Sequence, residues 1–421
     1  MKPPRVSRRQ FVRAAAPATA AIITPPNPLL ARLASQALCA EAGDPGELVG
    51  LVPLYGDRPR ETPFGEMVGG PGLDARLFTD LSTLQPNRLT TPSSQVFVRT
   101  AAPASLAERQ PAWTIATGAP ENRRSSLTLA ELGRDARPMG AHLIECAGNN
   151  DPNNFGLMSV AEWHGVPFFE VMDRWVVARK GLPVVQDVRD GRPSGQPKSG
   201  RPLPPTGILV SGLDDDRGSW RSTAGASWVL PLEELERLGA FLAVGMNGAP
   251  LSADHGAPVR LVVPGWYGCS WIKWVDTLRL VGPEEPATGQ MREFAARTHQ
   301  EGTPTLAVHY TAPSIDTAAT PIRVEKRRIN GRLEYRIVGI VWGGEAITKR
   351  LTIRFTLREA PVSFPICPTP ITSQTWSLWE YRWRPAEPGV YDIVLKVADP
   401  VVRTRRLDLS FYLRRVRIDE V

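Results

Sequence analysis

Cysteine and histidine are scarce in this chain, with four cysteines and five histidines among 421 residues. Cys39, Cys146, Cys269 and Cys367 form no C-x-x-C pair. That spacing excludes a zinc ribbon and a C-x-x-C-H haem attachment, and it does not make a disulfide framework. Beyond the N-terminal segment, no apolar run approaches the ~20 residues of a membrane-spanning helix. Acid is missing locally: residues 1–40 hold Lys2, Arg5, Arg8, Arg9, Arg13 and Arg32 and no Asp or Glu. Nearly all of the net charge of +7 therefore sits in that segment. What remains is close to neutral and carries no aromatic-studded basic motif, which argues against a nucleic-acid partner.

What the chain does have is proline and glycine, 41 and 36 residues respectively, with a globular 42% hydrophobic content. That mixture predicts many loops and short strands, and the length allows two domains after a leader. The leader itself contains Ser7-Arg8-Arg9-Gln10-Phe11-Val12-Arg13, followed by an Ala-rich, modestly apolar run from Ala14 to Thr24. This pattern resembles a twin-arginine export signal, with cleavage expected between about residues 31 and 43. It implies a folded, periplasmic protein with no integral membrane segment after export.

The remainder divides into expected segments: an irregular lead-in over 41–80, a first domain over 81–285, a second over 300–405, and a C-terminal strand or tail over 406–421. Strands are expected at Val96–Arg99, His142–Glu145, Gly207–Val210 and Val259–Val263. Helices are expected at Ser159–Trp163 with Phe168–Val177, and at Leu232–Leu238. Arg189–Pro205 reads as a surface loop. Beyond a polar connection near 283–305, alternating segments follow at Ile322–Arg328, Glu334–Val341, Leu351–Leu357, Thr375–Trp383 and Val390–Val397. Asn330-Gly331 gives a strong hairpin signal between the first two. Such short strands over about 100 residues predict a β-sandwich.

Two dense blocks carry the chemistry. The first is Ile144-Glu145-Cys146-Ala147-Gly148-Asn149, which ends an apolar stretch. A thiolate suits a soft transition metal. The second runs Asp254-His255-Gly256-Ala257-Pro258-Val259-Arg260 to Pro264-Gly265-Trp266-Tyr267-Gly268 and closes on Trp271-Ile272-Lys273-Trp274. It sets His255, Arg260 and Lys273 around a strand and a Gly-rich turn, and such groups suit a multiply anionic ligand. Either cation alone is more often a surface charge, and a lone buried cysteine is more often a small hydrophobe.

Together the blocks resemble the sulfite oxidase family of molybdenum enzymes over residues 60–405. The resemblance implies an α+β, β-rich fold: a molybdopterin-binding domain followed by an immunoglobulin-like β-sandwich that dimerises. It implies a mononuclear molybdenum–molybdopterin cofactor with Cys146 as metal ligand. Cofactor contacts would come from Ala101, Asp214, His255, Arg260, Trp271, Ile272 and Lys273. Arg99, in Phe97-Val98-Arg99, matches the family's Phe-x-Arg and would act at the catalytic centre. Oxygen-atom transfer to or from a small molecule is then expected, with electrons exchanged with a separate partner; a c-type cytochrome is one candidate.

Departures bear on the substrate. Thr100-Ala101 replace the family's Asn-His after the arginine. Asn150 and Asp151 stand where sulfite oxidases carry two arginines, and an acid there would repel an oxyanion by roughly 4 kcal/mol at about 4 Å and an effective dielectric of 20. The segment between Cys146 and Ala161 lacks the tryptophan of the sulfite pocket. Gln290–Phe294 offers no tyrosine. The alternatives are a sulfane dehydrogenase, an S- or N-oxide reductase, an inactive binding or assembly scaffold, and, least supported, a secreted sugar-binding sandwich.

Overall fold

A computed structural model describes residues 46–55, 64–70, 74–118, 125–150, 154–173, 205–213, 226–295, 311–356, 358–399, 404–405, 407 and 412–421. The first part of the chain builds two five-stranded sheets. One is ordered Ser227–Pro231, Gly207–Gly212, Val275–Val281, Thr114–Gly118, Ser125–Thr128, with one parallel pair, Val275–Val281 on Thr114–Gly118. In the other, Arg137–Glu145 and Met158–Pro167 form a long antiparallel pair. Met158–Pro167 also pairs with Phe241–Met246, which binds Arg260–Val262 on its other edge.

The two sheets of the second part are antiparallel. Glu47–Val52, Ala318–Ile329, Arg332–Trp342 and Ser377–Trp383 form one sheet, and Val362–Pro365, Arg350–Arg354, Gly389–Val397, Arg414–Ile418 and Leu54–Tyr55 form the other. Their inner faces share one hydrophobic core that includes Trp342, Trp376 and Trp379. The Asn330-Gly331 turn has φ of 50° and 79°, the left-handed pair that matches the twist of a tight hairpin. Ile322–Arg328 and Glu334–Val341 fall within the strands it joins.

Other expectations need correction. Ser159–Trp163 is strand, not helix. Its Ala161 and Glu162 favour a helix by propensity, but it lies between Arg137–Glu145 and Phe241–Met246, and ladder pairing on both edges overrides a weak local preference. Helix does follow at Phe168–Val171, and Leu232–Leu238 is helical over the expected span. The lead-in is not irregular throughout, because Glu47–Val52 and Leu54–Tyr55 close one edge of each sandwich sheet. Cys146 and Cys269 take part in no disulfide. Among the described residues, no helix is long and apolar enough to cross a membrane.

One strand pair separates the two cores. Side chains alternate along a strand. In Arg137–Glu145, Leu143 packs into the sandwich core, while Ile144 and then Cys146 belong to the first-domain core. The partner strand repeats the division, with Met158 and Val160 on the sandwich side and Ala161 and Trp163 on the other.

Candidate active site

Cys146 leaves its strand into a tight turn. Its backbone N–H donates to Leu157 O at 2.9 Å and its carbonyl accepts from Asn149 N at 2.9 Å. The turn places Gly148 N–H on Cys146 Sγ at 3.3 Å, a contact that favours a thiolate. The thiol faces a cavity of about 140 Å³.

Opposite it stands the second block. Gly256, at φ 107°, makes the turn before Arg260; a Cβ there would lie 3.0 Å from Arg260 Cβ and 3.1 Å from Lys273 Cβ. A side chain at 256 would therefore be strained and would crowd both cations. Arg260 begins the strand Arg260–Val262 and is buried. Its NH1 donates to His255 O at 3.0 Å and its NH2 to Trp271 O at 3.2 Å. The rings of Trp163 and Trp271 lie 5.5 and 6.0 Å from its guanidinium carbon. Its Nε has no hydrogen-bond partner, and no carboxylate pairs with it among the described residues. Burial pushes its pKa down to about 9, which leaves it charged at neutral pH.

Lys273 Nζ donates to Thr100 O and, at 2.9 Å, to Asp254 O, and it lies 4.3 Å from the Trp274 ring centre. His255 is buried, with Nδ1 2.7 Å from Ser252 Oγ and Nε2 3.1 Å from Val96 O. A carbonyl can only accept, so Nε2 carries the proton and Nδ1 accepts from the serine hydroxyl; the ring is neutral. Burial first, then the nearby Arg260 and Lys273 charges, push its pKa down to about 4. Both ring nitrogens are engaged within the protein, so His255 offers the site its carbonyl grip on Arg260 rather than a free ring nitrogen.

Cys146, Arg99, His255, Arg260, Trp271, Ile272 and Lys273 all line this one cavity. Ala101 does not line it but sits between two residues that shape it. Thr100 O accepts from Lys273, and Ala102 N donates to Asp254 Oδ1 at 2.8 Å. Asp214 and Asp151 lie outside the described residues, as does most of the expected Arg189–Pro205 loop. Leu213, just before Asp214, donates to Trp274 O at 2.9 Å. Arg99 pairs with the buried carboxylate of Asp74, a partner hidden in the sequence because it lies 25 positions away.

Cys269 also lines the cavity, as do Gln290, Glu293 and Phe294. Gln290 donates to Cys269 O at 2.8 Å and accepts from Ser227 N at 2.9 Å, so it ties that wall together. Trp163, whose ring lies beside Arg260, and Glu145, beside the cysteine, were not among the expected site residues.

A soft thiol on one wall and a buried guanidinium with an unsatisfied N–H on the other suit a metal attached to an anionic organic group. Residues 101–288 match the oxidoreductase molybdopterin binding domain. Sulfite oxidase of Gallus gallus is 26% identical over 82% of this chain and 74% of its own length. Mitochondrial sulfite oxidase of Homo sapiens is 25% identical over 67% of the chain. A molybdopterin-binding domain thus covers residues 101–288, and the similarity supports a sulfite-oxidase-type assignment for the chain. The chain spans about half of the human protein's length, 51%. Nitrate reductase [NADH] of Cichorium intybus is 24% identical over 48% of the chain and 21% of its own length. Among solved structures, the sulfane dehydrogenase SoxCD of Paracoccus pantotrophus superposes with a TM-score of 0.55 at 18% identity, covering 94% of this chain and all of that one. That likeness bears on the fold alone. The protein is thus a molybdopterin-dependent oxidoreductase with a β-rich sulfite-oxidase-type fold and a molybdenum–molybdopterin cofactor.

Proposed function

We propose that the protein is a periplasmic oxidoreductase in which Cys146 supplies the thiolate to molybdenum and Arg260 with Lys273 holds the pterin phosphate. The carrying observation is Arg260, a buried guanidinium whose Nε has no hydrogen-bond partner. A cation kept out of water without an anion is costly, and a phosphate beside it removes the cost. When bound, the cofactor supplies two-electron, oxygen-atom-transfer chemistry. The chain's own part is to position it. Gly148 N–H supports the sulfur, the His255 and Trp271 carbonyls aim Arg260, and the Thr100 and Asp254 carbonyls aim Lys273.

Electrons would pass to a separate partner, a c-type cytochrome among the candidates. The twin-arginine wording at Ser7–Phe11 supports export to the periplasm. Exposed apolar side chains at Leu48 and Leu51, on a sheet-edge strand, support a homodimer, which a solution mass measurement checks.

For the substrate, the sulfite oxidase relatives suggest a sulfur oxyanion. A second reading, a sulfane dehydrogenase or an S- or N-oxide reductase, draws support from Arg99. Its charge is already matched by Asp74, which weakens its pull on a dianion. The decisive experiment is molybdenum and pterin content of protein exported with its own leader. About one molybdenum per chain is expected, and none in Cys146→Ala. A folded wild-type protein without metal, from a host that makes the cofactor, would instead favour an inactive scaffold.

A further inference from the structure

Glu145 precedes the proposed metal ligand and is fully buried, yet it takes no part in the cavity. Strand alternation turns it the other way, toward the sandwich. There each carboxylate oxygen accepts two hydrogen bonds. Oε1 takes Arg405 NH1 at 2.8 Å and Asn149 Nδ2 at 3.2 Å. Oε2 takes Arg405 NH2 at 2.6 Å and Trp342 Nε1 at 2.9 Å. Arg405 is itself fixed from the second domain: its N–H donates to Thr317 O at 3.0 Å, and its NH1 reaches Tyr412 Oη at 3.1 Å. Its guanidinium also stacks 5.5 Å from Tyr267 and 5.6 Å from Trp342.

Asn149 is the link back to the sulfur. Held by Glu145 through Nδ2, it accepts Leu157 N at Oδ1 at 3.0 Å, while its backbone N–H closes the turn on Cys146 O. That closed turn carries the Gly148 N–H that points at Cys146 Sγ. We propose that Glu145, Arg405 and Asn149 are positioning residues, through which the second domain sets the orientation and donor strength of the Cys146 sulfur. Outer partners of a metal ligand commonly tune it in this way. A merely structural pair could have bridged the domains anywhere along the strand. This one bridges beside the thiol, and it has a hydrogen-bonded path to the group that supports the sulfur.

The inference rests on Cys146 as the ligand. The test compares Asn149→Ala, Glu145→Gln and Arg405→Met holoenzymes with wild type for molybdenum content, the sulfur-to-molybdenum absorption band, the paramagnetic molybdenum signal and thermal midpoint. Positioning predicts that Asn149→Ala, which leaves the ion pair intact, shifts the absorption band and the paramagnetic signal, and that Glu145→Gln shifts them in the same direction. Loss of more than half the metal from folded Asn149→Ala supports it equally. Spectra that superpose on wild type in Asn149→Ala at full metal content overturn it, whatever happens to the midpoint. Should Glu145→Gln and Arg405→Met not fold, Asn149→Ala decides alone. If wild type itself holds no molybdenum, the ligand reading is what has failed. If wild type holds it and Asn149→Ala is spectrally silent, only the positioning inference falls.

Discussion

Two buried arginines in this protein live under opposite conditions. Arg323, in the sandwich, donates through Nε to Glu325 at 2.8 Å and through NH1 to Leu84 O at 2.7 Å. Arg327 closes the other carboxylate oxygen at 2.7 Å. Burial raises the Glu325 pKa, but those two arginines outweigh it and hold the carboxyl below its usual range. Arg260 is buried as deeply, yet carbonyls and tryptophan faces are all it has. A charge matched inside the protein is architecture, whereas one left unmatched reads as half of a complex.

Mutations should separate the two. In the sandwich, Glu325→Gln strands two guanidinium groups and should cost about 4 kcal/mol of stability. Denaturant unfolding would register it, while molybdenum content in the folded fraction stays unchanged. At the site, Arg260→Met should do the reverse. Cofactor affinity should fall by roughly 3 kcal/mol, about 100-fold, while the cofactor-free protein holds or gains stability. If Arg260→Met destabilises the cofactor-free protein as much as Glu325→Gln does, the contrast between the regions is wrong.

The site should also be the acid-sensitive part. His255 has a folded pKa near 4, below its ordinary value of 6.5, so the unfolded chain binds its proton first. Its contribution is fully present above pH 6.5 and is lost as pH falls toward 4, by at most about 3 kcal/mol. A His255→Asn variant should flatten the stability curve in that window, as chemical denaturation across pH would reveal. The smallest effect expected is in the hairpin. Gly331→Ala, at φ 79°, should cost about 1 kcal/mol and leave cofactor content untouched.

Legibility in the sequence followed the range of the interactions. Leu232–Leu238 could be read because its apolar positions and the ends of its helix, Pro231 and Gly239, are local. Cys146, Arg260 and Lys273, which line one cavity, were expected together because two worded blocks carried them. Ser159–Trp163 misled because its strand state comes from neighbours on both edges. Glu47–Val52 was missed because its partner, Ala318–Ile329, lies some 270 positions later. Asp74 and Glu145 escaped for the same reason, since their arginine partners are distant in the chain. His255 lines the cavity, but its ring chemistry depends on Ser252 and Val96, and only the fold brings Val96 to it.

The strand ending in Cys146 has a consequence for how this protein can change over time. Because Leu143 and Glu145 belong to one core and Ile144 and Cys146 to the other, its length is under tighter constraint than its composition. Substitutions there alter one contact. A single inserted or deleted codon would reverse the facing of every residue between it and the next bulge, turning a carboxylate toward the first-domain cavity and a thiol toward the sandwich. Descendants of this gene should therefore vary in letters along 137–146 but scarcely ever in count.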